Sequence, residues 1–118
     1  MPAAARGDSV DTVNTVHPAS GDAAANDGSN CDVDPIDTST DECSGNVFAE
    51  GTGIVRFGDA VTNHIQGGVC SNHAVAPTLN SGSSNVFING KKAGRKNDTY
   101  SCTAKITTGA TSVFINGE

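Results

Sequence analysis

Short apolar runs separated by polar turns dominate the chain, and they recur. Asn46-Val47-Phe48-Ala49-Glu50-Gly51 returns thirty-nine positions later as Asn85-Val86-Phe87-Ile88-Asn89-Gly90, and Val113-Phe114-Ile115-Asn116-Gly117 begins a third copy. Each run is too short for a helix, and no window holds a helical period over three turns. A run rich in Val, Phe and Ile, a turn at Asn-Gly or Glu-Gly and a second short run predict a β-hairpin, because these dipeptides accept the positive φ of a tight reversal. The first two copies continue in parallel to Arg56-Phe57-Gly58-Asp59 and Arg95-Lys96-Asn97-Asp98. Ala5-Arg6-Gly7-Asp8 reads as the second half of such a unit, one residue shorter, so the chain begins and ends within a repeat. An all-β fold of three repeats in a single domain over residues 1–118 is the expectation. Alternation on the hairpins sets Phe87 against Val86 and Ile88, one set facing a core and the other a partner. Val47-Phe48, Val86-Phe87 and Val113-Phe114 are the candidates for core and base contact.

Composition sharpens this picture. One Leu, six Ile, eleven Val and four Phe, with no Trp and one Tyr, are few large side chains for 118 residues. Such a core offsets chain entropy only with a staple or a partner. Residues 18–43 hold seven of the thirteen acidic residues and read as an irregular acidic insertion, and 65–82 as a second connection. A formal charge of -6 argues against nucleic acid as a partner, despite the cluster Lys91, Lys92, Arg95 and Lys96, which reads as a solvated turn. No run is long and apolar enough for a membrane span, and Met1-Pro2-Ala3-Ala4-Ala5-Arg6 lacks the apolar region of a secretory leader. Without a leader, four Cys and three His point to metal before disulfides, although Cys31 and Cys43 could pair under oxidising conditions and Cys70 could be free, buried or a competing ligand.

The chemistry concentrates at the downstream ends of the repeats. His17 follows Asp8, His64 follows Asp59, Cys102 follows Asp98, and His73 lies in the second connection. Around a pseudo-threefold axis these positions converge, and three imidazoles with one thiolate fill a tetrahedral zinc shell, which makes the site structural. The plain alternative for any one of these histidines is an exposed loop residue. Arg6-Gly7-Asp8 reads as a repeat turn and not an adhesion tripeptide, and no HExxH or ordered catalytic triad is present, so no enzymatic activity is expected.

Met1-Pro2-Ala3-Ala4-Ala5-Arg6-Gly7-Asp8, the Gly82-Ser83-Ser84-Asn85-Val86-Phe87-Ile88-Asn89-Gly90 block followed by Ala93-Gly94-Arg95, and Ser101-Cys102 ahead of Gly109-Ala110-Thr111-Ser112-Val113-Phe114 resemble the PAAR-repeat family over nearly the whole chain except 18–43. The resemblance implies a small β-rich cone capping a trimeric β-helical spike protein, one tip per trimer, in a contractile phage tail or a type VI secretion system. It implies one structural zinc, or alternatively iron, near the vertex, held by His17, His64, His73 and Cys102. The expected function is the tip of a membrane-piercing spike that meets the target cell membrane transiently, placed at the baseplate of a phage virion or, alternatively, in a secretion apparatus and secreted on firing. A metal-binding adaptor that recruits a partner or effector to the spike is the alternative, and a zinc hydrolase would need an open coordination position.

Overall fold

The computed structural model describes residues 2–15, 36–64 and 73–116. Among them there is no helix; the elements are β1 (Thr12–Thr15), β2 (Ile36–Ser39), β3 (Phe48–Ala49), β4 (Thr52–Gly53), β5 (Phe87–Ile88), β6 (Lys91–Lys92) and β7 (Lys105–Ile106). β1 is the centre of a three-stranded antiparallel sheet ordered β2-β1-β7, with Thr12 opposite Ser39 and Val13 opposite both Thr38 and Ile106. β3-β4 and β5-β6 are the two expected hairpins. Their turn residues Glu50 and Gly51 (φ 53° and 84°) and Asn89 and Gly90 (φ 54° and 81°) all take positive φ, as a two-residue reversal matched to strand twist requires. Residues 36–40 depart from the expected irregular insertion. Ile36–Ser39 pairs along the whole of β1, and Thr40 is buried with its hydroxyl donating to the Arg6 carbonyl. Residues 18–35 lie outside the described part.

The third hairpin is assembled from distant parts of the chain. Phe114 bridges to Ala3, Ala4 N–H donates to the Val113 carbonyl, and Ile115 N–H donates to the Pro2 carbonyl. Ile54 N–H to Val47 O and Ala93 N–H to Val86 O are the corresponding bonds of the other two hairpins. Residues 110–116 and 2–11 therefore form one unit, 44–59 a second and 83–98 a third.

Every unit closes with an Arg–Asp pair, and here the sequence reading needs one correction. Arg56 meets Asp59 at 2.8 Å and Arg95 meets Asp98 at 3.1 Å, as their spacing suggests, but Arg6 meets Asp11 at 2.8 Å and not Asp8. The first turn is two residues longer than the others, with exposed Asp8 and Ser9 at φ 51° and 65°. In all three pairs the aspartate also accepts the arginine's own backbone N–H, so the carboxylate fixes both the side chain and the turn.

A contact at the hairpin turn ties each unit to its neighbour. Arg56 Nη1 donates to Asn89 Oδ1, which also accepts from Ser44 Oγ, while Asn89 Nδ2 donates to Asn46 Oδ1. Arg6 Nη1 donates to Glu50 Oε1, and Ser83 Oγ donates to the Asn116 carbonyl. The turn residue of each hairpin thus reaches the preceding unit, and the three contacts close a ring.

The core fills the ring in threes. Ala49, Ile88 and Ile115 are buried with Ala4, Ile54 and Ala93, and Val47, Val86 and Val113 pack against them. Beyond them Ala5 and Val55, then Val13, Val61 and Tyr100, form a second cluster with Leu79, Ala104 and Ile106. Repeat-equivalent positions differ in volume in compensating ways. A Cβ on Gly94 would stand 2.9 Å from Leu79 Cδ2. The position before each turn serine is Cys43 in one unit and Gly82 in another, and Cys43 fits because Gly7 and Gly53 lie against it. Cys43 packs against the core as a free thiol, which burial and the charges of Asp8 and Asp59 push above its ordinary pKa; Cys31 lies outside the described residues. Gly53→Ala would drive a methyl group into the Ser44 carbonyl and within 2.8 Å of Cys43 Sγ. A loss of about 2 kcal/mol in a denaturant titration is expected, with Gly51→Ala in open space serving as the contrast that feels only turn strain.

Candidate metal centre

His64, His73 and Cys102 come together from segments far apart in sequence, their ligand atoms all within 4.8 Å of one another. His64 Nε2 stands 3.2 Å from His73 Nε2 and 3.8 Å from Cys102 Sγ, and the two imidazole rings meet edge to face at 81°. Tetrahedral nitrogen and sulfur ligands of one zinc ion stand roughly 3.3–3.6 Å apart, so the three donors fit around such a cation.

Local structure explains why they converge. Val61, two residues beyond Asp59, is anchored in the core and bridges to Thr40, which fixes the segment leading to His64. His73 is returned to it by its backbone N–H donating to the His64 carbonyl and by Asn63 Nδ2 donating to the His73 carbonyl. Tyr100, repeat-equivalent to Val13 and Val61 and fully buried, anchors the turn that presents Cys102. Thr103 ends that turn at φ 71°, and Tyr100 N–H donates to the Ala104 carbonyl.

His64 is buried, and its Nδ1–H donates to the Thr62 carbonyl at 2.9 Å. That bond fixes the tautomer and leaves the Nε2 lone pair facing His73 and Cys102, the outer hydrogen bond that metal-ligating imidazoles use. Two imidazoles and a soft thiolate suit zinc or iron and not the hard, oxygen-seeking cations. Of the four residues proposed from sequence, the structure brings together His64, His73 and Cys102; His17 lies outside the described residues, as does Cys70. Thr62 and Asn63, which orient the site, went unnoticed in the sequence because a carbonyl acceptor and a loop amide leave no pattern.

The phenylalanines of the three hairpins form the second feature. Phe48, Phe87 and Phe114 occupy equivalent positions, one per unit, and are 57%, 55% and 52% exposed, whereas their neighbours Ala49, Ile88 and Ile115 are buried. The alternation read from sequence is therefore realised, with the aromatic set outward and the smaller set inward.

Comparison with known proteins bears on both features. Residues 68–118 match the PAAR motif family, a segment that includes His73, Phe87, the Arg95–Asp98 pair, Cys102 and Phe114. A curated protein of Burkholderia cenocepacia (strain H111), named double-stranded DNA deaminase toxin A, is 36% identical over 75 residues. That stretch is 63% of this chain and 5% of the toxin, so the chain spans about one twentieth of that relative. Residues 44–59 lie outside the family match yet repeat its Arg–Asp pair and exposed phenylalanine, and residues 2–11, also outside it, carry an Arg–Asp pair. On this evidence residues 68–118 carry a PAAR motif, and the chain resembles PAAR-repeat proteins.

Proposed function

We infer that this protein is the structural tip of a contractile injection machine, seated on a trimeric β-helical spike protein and helping to breach the target cell envelope. The observation that carries the reading is the threefold set Phe48, Phe87 and Phe114. One chain presents the same half-exposed aromatic side chain three times around a ring of equivalent units, which suits a trimeric partner whose end repeats one surface three times. The His64–His73–Cys102 cluster suits a structural metal, with His17 as the proposed fourth ligand and zinc or iron as the ion. A closed four-ligand shell has no position for a reacting water, so the role proposed is mechanical and not enzymatic.

Replacing all three phenylalanines by Ser tests the docking face. Co-expressed with a trimeric β-helical spike protein, the unaltered chain is expected to co-purify at one copy per trimer. Phe87→Ser alone is expected to weaken binding about tenfold, and the triple variant to abolish it. Because these rings are exposed, the melting temperature should stay within a few degrees. Full binding by the triple variant would refute the docking face.

A second reading, a module that carries an effector, draws on the relative, in which the matched stretch is a small part of a protein named a toxin. That bacterial source also favours a secretion apparatus over a phage baseplate. Co-purification of this chain with a toxin polypeptide when no spike protein is present would favour this reading; recovery of the spike alone would count against it.

A further inference from the structure

We propose that Glu50 is a clasp on a seam in the fold, and that this seam, between residues 110–116 and 2–4, is where the protein opens first. The inference rests on the hairpin split between residues 110–116 and 2–4 and on its contacts with Glu50, and stands whether or not the phenylalanines dock on a spike. In the second and third units of the ring, a turn serine organises the run before the phenylalanine. Ser44 Oγ accepts from the backbone N–H groups of Asn46 and Val47, and Ser83 Oγ from those of Asn85 and Val86. The equivalent residue of the remaining unit is Ala110, which has no hydroxyl to offer.

Glu50 supplies what Ala110 lacks, from the neighbouring unit. Its Oε2 accepts from the backbone N–H and hydroxyl of Thr111 at 3.0 Å each, and from the N–H and hydroxyl of Ser112 at 2.7 and 2.6 Å. Its Oε1 accepts from Arg6 Nη1 at 2.9 Å, and Arg6 Nη2 reaches the Gly109 carbonyl at 3.3 Å. One carboxylate therefore joins the first and last described segments through the middle of the chain. The corresponding residue of the next unit is the neutral Asn89, which binds a serine that is present. The exchange of Asn for Glu on one unit matches the exchange of Ser for Ala on its neighbour.

The seam needs this clasp because of how its hairpin is made. The β3-β4 and β5-β6 hairpins close through two-residue covalent turns, whereas the strands at 113–115 and 2–4 are not joined by a turn and must be held by contacts alone. A strand pair without a connecting turn opens at lower cost, since its ends are not kept at high effective concentration. Opening would carry Phe114 and Ile115 away together and uncover Ala4.

Native-state hydrogen exchange on the full chain, resolved residue by residue, tests this. The amides of Ala4 and Ile115, which bond across the seam, should exchange faster than those of Ile54 and Ala93 at the equivalent covalent hairpins. Glu50→Gln should speed Ala4 and Ile115 by about tenfold or more while leaving Ala93 unchanged. Glu50→Asn combined with Ala110→Ser, which writes the pattern of the other units into this one, should restore the slow rates. Equal protection of all three hairpins in the unaltered protein overturns the proposal. So does uniform acceleration by Glu50→Gln, or failure of the double variant to rescue.

Discussion

His64→Ala is expected to lower the melting temperature of the metal-loaded protein by more than about 10 °C. The reason lies in the poverty of the core. Its buried side chains are mostly Ala and Val, and the largest are one Tyr, one Leu and a few Ile, so apolar burial alone leaves a thin margin over chain entropy. A cation held by His64, His73 and Cys102 would join the segment after Asp59, the second connection and the turn after Asp98, adding to the packing of Val61, Leu79 and Tyr100. Binding to the folded state alone adds directly to stability, so metal and fold share one equilibrium. Loss of a buried imidazole also leaves a void, and a chelator separates the two effects. Chelation should bring the unaltered protein close to the melting temperature of His64→Ala and leave the variant where it was. A variant that still responds to the chelator, or an unaltered protein that does not, would contradict the metal centre.

How much of this was written in the sequence depends on the range of the interaction. The covalent hairpins were legible because Glu50-Gly51 and Asn89-Gly90 carry a local demand for positive φ that few dipeptides meet. The alternation of Phe87 with Ile88 was legible for the same reason, since the two faces of a strand are set by adjacent residues. His64, His73 and Cys102 could be singled out because metal-ligating residue types are rare in a chain with three His and four Cys. Asp8 misled because Arg6-Gly7-Asp8 copies the wording of the later turns; the charge that Arg6 needs lies at Asp11, buried with its carboxylate also accepting from Thr108. The strand at Ile36–Ser39 was hidden by its acidic surroundings, since its partner β1 and the burial of Thr40 supply a stability that local composition does not show. Glu50 was hidden too, because its importance comes from an alanine sixty positions away. Hydrogen bonds from the Ser112 hydroxyl, then from Thr111 and their backbone N–H groups, outweigh the opposing effect of burial and hold its carboxyl at about 2. With a folded-state pKa depressed from 4.5, its contribution is complete above the ordinary value and is lost as the pH falls towards 2.

Asp98→Ala should be the most damaging change at the Arg–Asp pairs, costing about 3–5 kcal/mol in a denaturant titration. The three pairs repeat one geometry but differ in the exposure of the arginine: the side chains of Arg6 and Arg56 are 19% and 18% exposed, that of Arg95 only 9%. Asp98 accepts from Arg95 N, Nε and Nη2 and from Ser81 Oγ, so its removal strips four donors of their acceptor and leaves a guanidinium in a site with little water. At the second pair the same change is milder, since Arg56 keeps Asn89 Oδ1 and the Cys43 carbonyl and reaches solvent more readily. Asp59→Ala should therefore cost about half as much. Removing both charges with Arg95→Met and Asp98→Ala should recover part of the loss, because the unpaired buried cation is then gone while the turn still lacks the acceptor for residue 95 N–H. Equal losses at Asp98 and Asp59, or a double variant no better than Asp98→Ala alone, would show that these carboxylates act through the turn and not through the buried charge.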